Sequence, residues 1–276
     1  MNFGIIIIGD EILSGKRQDK HLTKAIELLS ARGLKLAYAD YVGDEPDRIT
    51  DTLKRAFGSG DVVFSFGGIG ATPDDHTRHC AARALGRGME LHPQAKALIL
   101  ERMQDVAREQ GVPYEPDRDD NMHRLNMGVF PQGAQIIPNP FNKIAGFYCS
   151  LDSDPHAVGK RGGIFFLPGF PVMAHPMMAW VLDTHFLQLF RQEAWVEQSV
   201  IVFGAMEATL TPLMEAIERE HAVKVFSLPS VDHPEFGRHI ELGVKGTPQA
   251  VVPAYAALLA GLRVFSAKLG PELVRQ

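Results

Sequence analysis

The residue types best suited to chemistry in this chain are five carboxylates and one glycine cluster. Asp74 and Asp75 follow the run Gly67-Gly68-Ile69-Gly70-Ala71-Thr72-Pro73. Asp44 precedes Glu45-Pro46, and Asp10-Glu11 comes directly after the apolar run FGIIII. Three glycines in four positions let backbone N–H groups converge on an anion without interference from Cβ atoms. A carboxylate beside a bound phosphate can hold Mg²⁺. Each acid also has a plainer reading. Thr72, Pro73 and Asp75 suit the N-cap, first and third positions of a helix, so Asp75 could complete a capping box. Asp44 could cap the helix that Pro46 opens. Ser14, Gly15 and Lys16 offer a hydroxyl, a bare backbone and a charge to the same kind of ligand.

The elements that must position these residues alternate. Phe3 to Ile8 and Val62 to Phe66 are short, unbroken apolar runs, as expected of strands buried on both faces of a parallel sheet. Lys35 to Val42 reads as a third strand. His21 to Ala31 carries Leu22, Ala25, Ile26 and Leu29 on one helical face and stops near Gly33. The helix after Pro46 carries Ile49, Leu53, Ala56 and Phe57. The helix begun at Pro73 runs through Cys80, Ala81, Ala84 and Leu85. This β-α-β-α-β-α order specifies an α/β fold with helices on both faces. Right-handed crossovers with one reversal place the first strand between the second and third. Loops 9–16, 43–46 and 67–77 then meet at the carboxyl edge of the sheet, where such sheets bind ligands. Loop 9–16 is no Walker loop, because Asp10 and Arg17 stand where it needs Gly and Ser or Thr.

Further along, Pro93 to Gln110 is an amphipathic helix, and Asp117 to Asp120 is a turn leading to a helix at 119–127. Gln135 to Ile137, Ala145 to Ser150 and Gly163 to Leu167 read as strands, with a polar loop at 150–162. Pro171 to Arg191 is a helix whose stripe is Met177, Met178, Val181, Leu182 and Phe186, a core or a dimer face. The pattern changes near Gln192. Strands at 196–203, 223–228 and 239–245 and helices at 207–219 and 249–267 make a small split α/β unit. The expected domains are 1–191 and 192–276.

The 276 residues carry a net charge of −5 and two cysteines. That charge advertises no nucleic-acid binding, and two cysteines supply neither a disulfide framework nor a zinc motif. No signal or spanning segment is evident, so a cytoplasmic protein without membrane partners is expected. Cys80 and Cys149 read as buried free thiols.

GGIGATPDDHT resembles the signature loop of the molybdopterin-binding, MoaB/Mog-like fold. GDEILSG at 9–15 and LPGFP at 167–171 further resemble CinA-like (competence/damage-inducible) proteins and the N-terminal domain of bifunctional FAD synthases. The resemblance covers roughly residues 3–190 and implies a three-layer, mostly parallel sheet. It implies that Asp75 and Asp44 are the functional acids, with Asp10 near them and Asp75 and Asp44 as metal ligands. Glu11, Ser14, Gly15, Lys16, Gly67, Gly68, Gly70, Thr72 and Asp74 would bind the ligand. So would Asn139, from a stretch like the family's PN…APGF loop, and Pro168-Gly169. Lys143 in the same stretch could neutralise a phosphate.

The family often has Thr where Phe66 stands, Asn near His21 and Glu at Met173. The second unit takes the place of a KH-like domain, but has no GxxG loop for RNA. A further C-terminal amidase domain, common in CinA-like chains, is expected to be absent. Three functions stay open. The chain could bind molybdopterin or its adenylate, hydrolyse a nucleotide diphosphate such as ADP-ribose or FAD with Mg²⁺, or act as a non-catalytic module. The resemblance favours a homodimer over the trimer of MoaB/Mog-like proteins.

Overall fold

The computed structural model describes residues 1–152, 162–190 and 195–275. Within it the chain forms two compact units, Met1–Phe190 and Arg191–Gln276. In the first, β1 (Phe3–Ile8) leads through the short α1 (Asp10–Leu13) and α2 (His21–Ser30) to β2 (Leu36–Val42). Then come α3 (Pro46–Ser59), β3 (Val62–Phe66), α4 (Thr77–Leu85), β4 (Met89–Leu91), α5 (Pro93–Gln110) and α6 (Asp119–Arg124). β5 (Val129–Pro131), β6 (Gln135–Ile137), β7 (Gly146–Cys149), β8 (Gly163–Leu167) and α7 (Pro171–His185) complete it.

The main sheet has six strands in the order β2-β1-β3-β8-β7-β6. β2, β1, β3 and β8 are mutually parallel, β7 runs antiparallel to β8, and β6 at the edge pairs antiparallel with β7. The first strand does lie between the second and third. The unalternating apolar run of β1 is explained by its two covered faces. Phe3, Ile5 and Ile7 pack in one core with residues of α2 and α7. Ile6 and Ile8 pack in the other with residues of α3 and α4. An apolar side chain on each face is the only arrangement that leaves neither face wet.

Several boundaries depart from expectation. Loop 9–16 contains α1. α4 begins at Thr77, not Pro73. The helix expected at 119–127 is α6 followed by a 3-10 turn at Leu125–Gly128. β4 and β5 pair as a separate two-stranded sheet too short to announce itself in the sequence. The polar loop at 150–162 falls mostly outside the described residues, and the helix that begins at Pro171 stops short of the expected Arg191. That helix ends at His185, and Met177, Met178, Val181 and Leu182 are fully buried in the unit's own core. Its methionine stripe therefore offers no dimer face. Cys80 and Cys149 are buried free thiols, and burial pushes the Cys149 thiol up to about 12.

The second unit holds β9 (Val196–Phe203), α8 (Glu207–Glu220), β10 (Lys224–His233), β11 (Gly237–Gly246), α9 (Pro248–Val264) and β12 (Lys268–Arg275). Its sheet is antiparallel, ordered β10-β11-β9-β12. β12 was not expected. It contains Gly270 and Pro271, and its pairing with β9 slips between Leu269 and Glu272 at that dipeptide. An edge strand tolerates such a break, while the sequence pattern reads it as a loop. Among the described residues no helix is long and apolar enough to cross a membrane.

Candidate functional site

The loops after β1, β2, β3 and β8 surround a cleft of about 1230 Å³ at the carboxyl edge of the main sheet. Its floor is the glycine loop. Gly67 has φ 102° and donates its N–H to Leu167 O at 3.0 Å, and a Cβ there would meet Ile8 O at 2.3 Å. Gly68 has φ 68°, and a Cβ there would lie 2.1 Å from Thr77 Oγ1. Both positions therefore require glycine. Thr77 N–H donates to Gly68 O at 3.0 Å and fastens the loop to α4. Among the described residues, no protein group accepts the backbone N–H of Gly68, Ile69, Gly70 or Ala71. Consecutive unpaired amides in a glycine turn form an anion-binding concavity.

Thr72 to Asp75 form a turn of their own instead of the first turn of a helix. Asp75 N–H donates to Thr72 O at 3.0 Å. Asp75 Oδ2 accepts from Thr72 N–H at 2.8 Å and from Thr72 Oγ1 at 2.5 Å. This is the back-reaching half of a capping box, closed over an isolated turn. His76 occupies the N-cap position of α4 without a side-chain bond. The roles assigned to Thr72 as N-cap, Pro73 as first and Asp75 as third helical residue are thereby corrected. Thr72, Asp74 and Asp75 nevertheless line the cleft.

Asp44 also lines it and is tied to Asp10 reciprocally. Asp10 N–H donates to Asp44 Oδ2 at 2.9 Å, and Asp44 N–H donates to Asp10 Oδ1 at 3.2 Å. Burial pushes the Asp44 carboxyl up. The Asp10 N–H opposes that rise, and the charges of Asp10, Glu11 and Asp74 add to it. Asp10 itself faces a separate groove beside Arg48 and Arg55, so it supports Asp44 from outside the cleft. Glu11 and Lys16 line the cleft, with Arg17 and Lys20 on the same segment, while Ser14 and Gly15 do not. Pro168 and Gly169 form the opposite lip.

Asn139 is buried and does not line the cleft. Its amide donates to Asn142 Oδ1 at 2.8 Å and Ile144 O at 2.9 Å, and its oxygen accepts from Phe141 N–H at 3.0 Å. It shapes the loop that presents Asn142 and Ile144. Lys143 is held by Glu101 and Asp105 of α5, both at 2.6 Å, away from the role considered for it. Among the described residues no group of three or more His, Cys, Asp or Glu is arranged to hold a metal ion. Asp75 and Asp44, the two expected metal ligands, both line the cleft.

Two features were missed. His21, 5% exposed, stacks on Phe66 with ring centroids 4.4 Å apart and planes 15° apart. Its Nε2 lies 3.1 Å from Gly169 O. The two rings thus pack on each other, nearly covered, at the border of the cleft. Arg78 is the other. It is buried in the first turn of α4 and reaches Gly70 O at 2.6 Å. The signal was available, since an arginine on the helix face shared by Ala81 and Leu85 must find partners inside.

Burial lowers the His21 pKa below 6.5, against the bond to Gly169 and the charge of Asp19. The unfolded chain therefore takes up this proton first, and stability is full above pH 6.5 and lost as pH falls through the lowered folded value. Denaturant midpoints measured from pH 8 to 5 should fall, and His21→Gln should flatten part of that fall. An unchanged slope in the variant would mean that other histidines carry it.

Residues 4–188 match the family model described as "Probable molybdopterin binding domain". The chain is 29% identical over 233 residues to a CinA-like protein of Syntrophotalea carbinolica, covering 81% of this chain and 52% of that one. It is 28% identical over 253 residues to a CinA-like protein of Geotalea uraniireducens, covering 91% and 55%. It thus spans about half the length of these curated relatives. Among solved structures it is similar to the protein CinA, of unknown function, from Thermoplasma acidophilum. There the TM-score is 0.52 at 23% identity, over 66% of this chain and 97% of the other, a likeness of fold.

Proposed function

Because the chain belongs to the molybdopterin-binding domain family, in its MoaB/Mog and CinA-like branch, we propose that its cleft binds a phosphate-bearing pterin or nucleotide, with the phosphate on the Gly67–Thr72 loop. The observation that carries this reading is the set of unpaired N–H groups from Gly68 to Ala71. Glycine at positive φ holds them on the cleft side, where an anion gains charge-assisted hydrogen bonds. Lys16, Arg17 and Lys20 line the same cleft and add positive charge.

A second reading is hydrolysis of a nucleotide diphosphate such as ADP-ribose or FAD. It is favoured by Asp44, Asp74 and Asp75 lining the cleft beside the loop. Among the described residues no group of three or more such ligands is arranged for a metal, and Mg²⁺ would arrive with the substrate's own phosphates, as it commonly does. Pure protein should copurify with pterin fluorescence under the first reading. Under the second it should release AMP from ADP-ribose or FAD when Mg²⁺ is supplied. Failure of both, with no binding of either ligand class by calorimetry, would sink the proposal. Light scattering on the same sample reads the expected homodimer, which rests on likeness to CinA-like proteins alone.

A further inference from the structure

We propose that Arg78 is the positioning residue of the anion loop, aiming its N–H groups from behind and supplying the positive charge that selects a phosphate. The inference rests on the anion-binding reading of that loop and adds the residue that sets its selectivity. Arg78 is 3% exposed. Its Nη2 donates to Gly70 O at 2.6 Å, and its Nη1 donates to Val129 O at 3.2 Å and to Asn126 O. Its Nε is buried without a partner. Among the described residues no carboxylate forms a salt bridge with it, and the acid whose charge it feels is Asp75 of the loop. Burial lowers its pKa, yet a guanidinium stays charged in proteins. A buried cation with no counter-ion is costly to keep. Three carbonyl dipoles offset part of that cost, and an anion on the other side of the loop would offset more.

The hydrogen bonds also set direction. In a trans peptide the C=O and N–H point opposite ways. Arg78 draws back the Gly70 carbonyl, so the Ala71 N–H of that peptide turns away from α4. The Thr77 N–H draws back the Gly68 carbonyl, and the Ile69 N–H turns away in the same manner. Ile69 and Ala71 both line the cleft. The other arm of Arg78 grips the chain on either side of Met127, a residue of the cleft wall, so loop and wall share one anchor. Nothing else on α4 does this. Arg83, about one and a half turns later, reaches Thr50 and Asp47 of α3 instead.

The test uses inorganic pyrophosphate as probe, in buffer with a chelator, titrated into the full chain by calorimetry. Arg78→Gln should bind at least about tenfold more weakly, the scale of one hydrogen bond to a charged group. Arg78→Lys, which keeps the charge but replaces the two-armed guanidinium by one ammonium, should recover only part of the affinity lost in Arg78→Gln, and Arg83→Gln should bind like the parent. The Arg78 Nε–H resonance of the unmodified protein should shift on adding pyrophosphate. Unchanged affinity in Arg78→Gln overturns the inference and leaves the anion loop standing. Absence of pyrophosphate binding in the unmodified protein overturns both. Should Arg78→Gln fail to fold, the resonance decides, and an unmoved signal overturns the proposal.

Discussion

Gly68→Ala should leave the chain folded and remove pyrophosphate binding by at least about tenfold. The residue sits at φ 68°, where an alanine is strained by about 1–3 kcal/mol. Its new Cβ would also fall 2.1 Å from Thr77 Oγ1. Thr77 is fully buried and β-branched, so it cannot swing aside cheaply. The loop has to move instead, and the amides from Gly68 to Ala71 leave their alignment. Gly15→Ala separates strain from site. Gly15 has φ 73°, nothing within 4 Å of a Cβ, and no place in the cleft. It should lose comparable stability and keep pyrophosphate affinity. Calorimetry on both variants checks this. Equal affinity in Gly68→Ala and the parent would mean that the loop amides do not hold the anion.

Asp75→Asn is expected to melt within a few degrees of the parent. The amide oxygen can still accept from Thr72 N–H and Oγ1, so the turn closes as before. What disappears is a negative charge beside the phosphate position. Under the hydrolase reading, turnover of ADP-ribose or FAD should fall by roughly a hundredfold, the scale of a lost base or electrostatic contact. Metal-free pyrophosphate binding should change in the opposite sense and tighten, because a like charge has gone and no donor has been lost. Both can be read on one preparation. A variant that unfolds would show Asp75 to be a structural cap. A variant that loses pyrophosphate affinity in chelator would show that the carboxylate helps bind the anion in some way other than through its charge.

The main sheet was legible because its signals are local and strong. Continuous apolar runs can only be strands covered twice, and the glycine run between such a strand and a helix has few structural uses. The position of β1 followed from handedness and connection rules alone. What escaped depends on contacts between distant residues. Asp10 looks as good an acid as Asp44, and only the fold of α1 turns it outward. Asn139 reads as a ligand-facing amide until its own loop consumes every donor and acceptor it has. α4 starts four residues later than the Thr72–Asp75 capping pattern suggests, because that pattern closes an isolated turn. Arg78 and the His21–Phe66 stack are tertiary pairings that no periodicity encodes. The contribution of β12 was hidden by a Gly-Pro pair that an edge strand can absorb.

The place of β8 in the main sheet has a consequence for how the chain becomes a protein. Val62 of β3 pairs with Gly163 of β8, roughly a hundred positions later, and such distant pairings form slowly because a long loop must close first. During synthesis β1, β2 and β3 can associate early, leaving β3 with an unpaired edge of the kind that invites association with other chains. Gly67 cannot make its bond to Leu167 until that edge is filled. The anion loop is thus among the last parts of the first unit to mature, and a nascent chain carries the whole glycine motif well before it carries a working site.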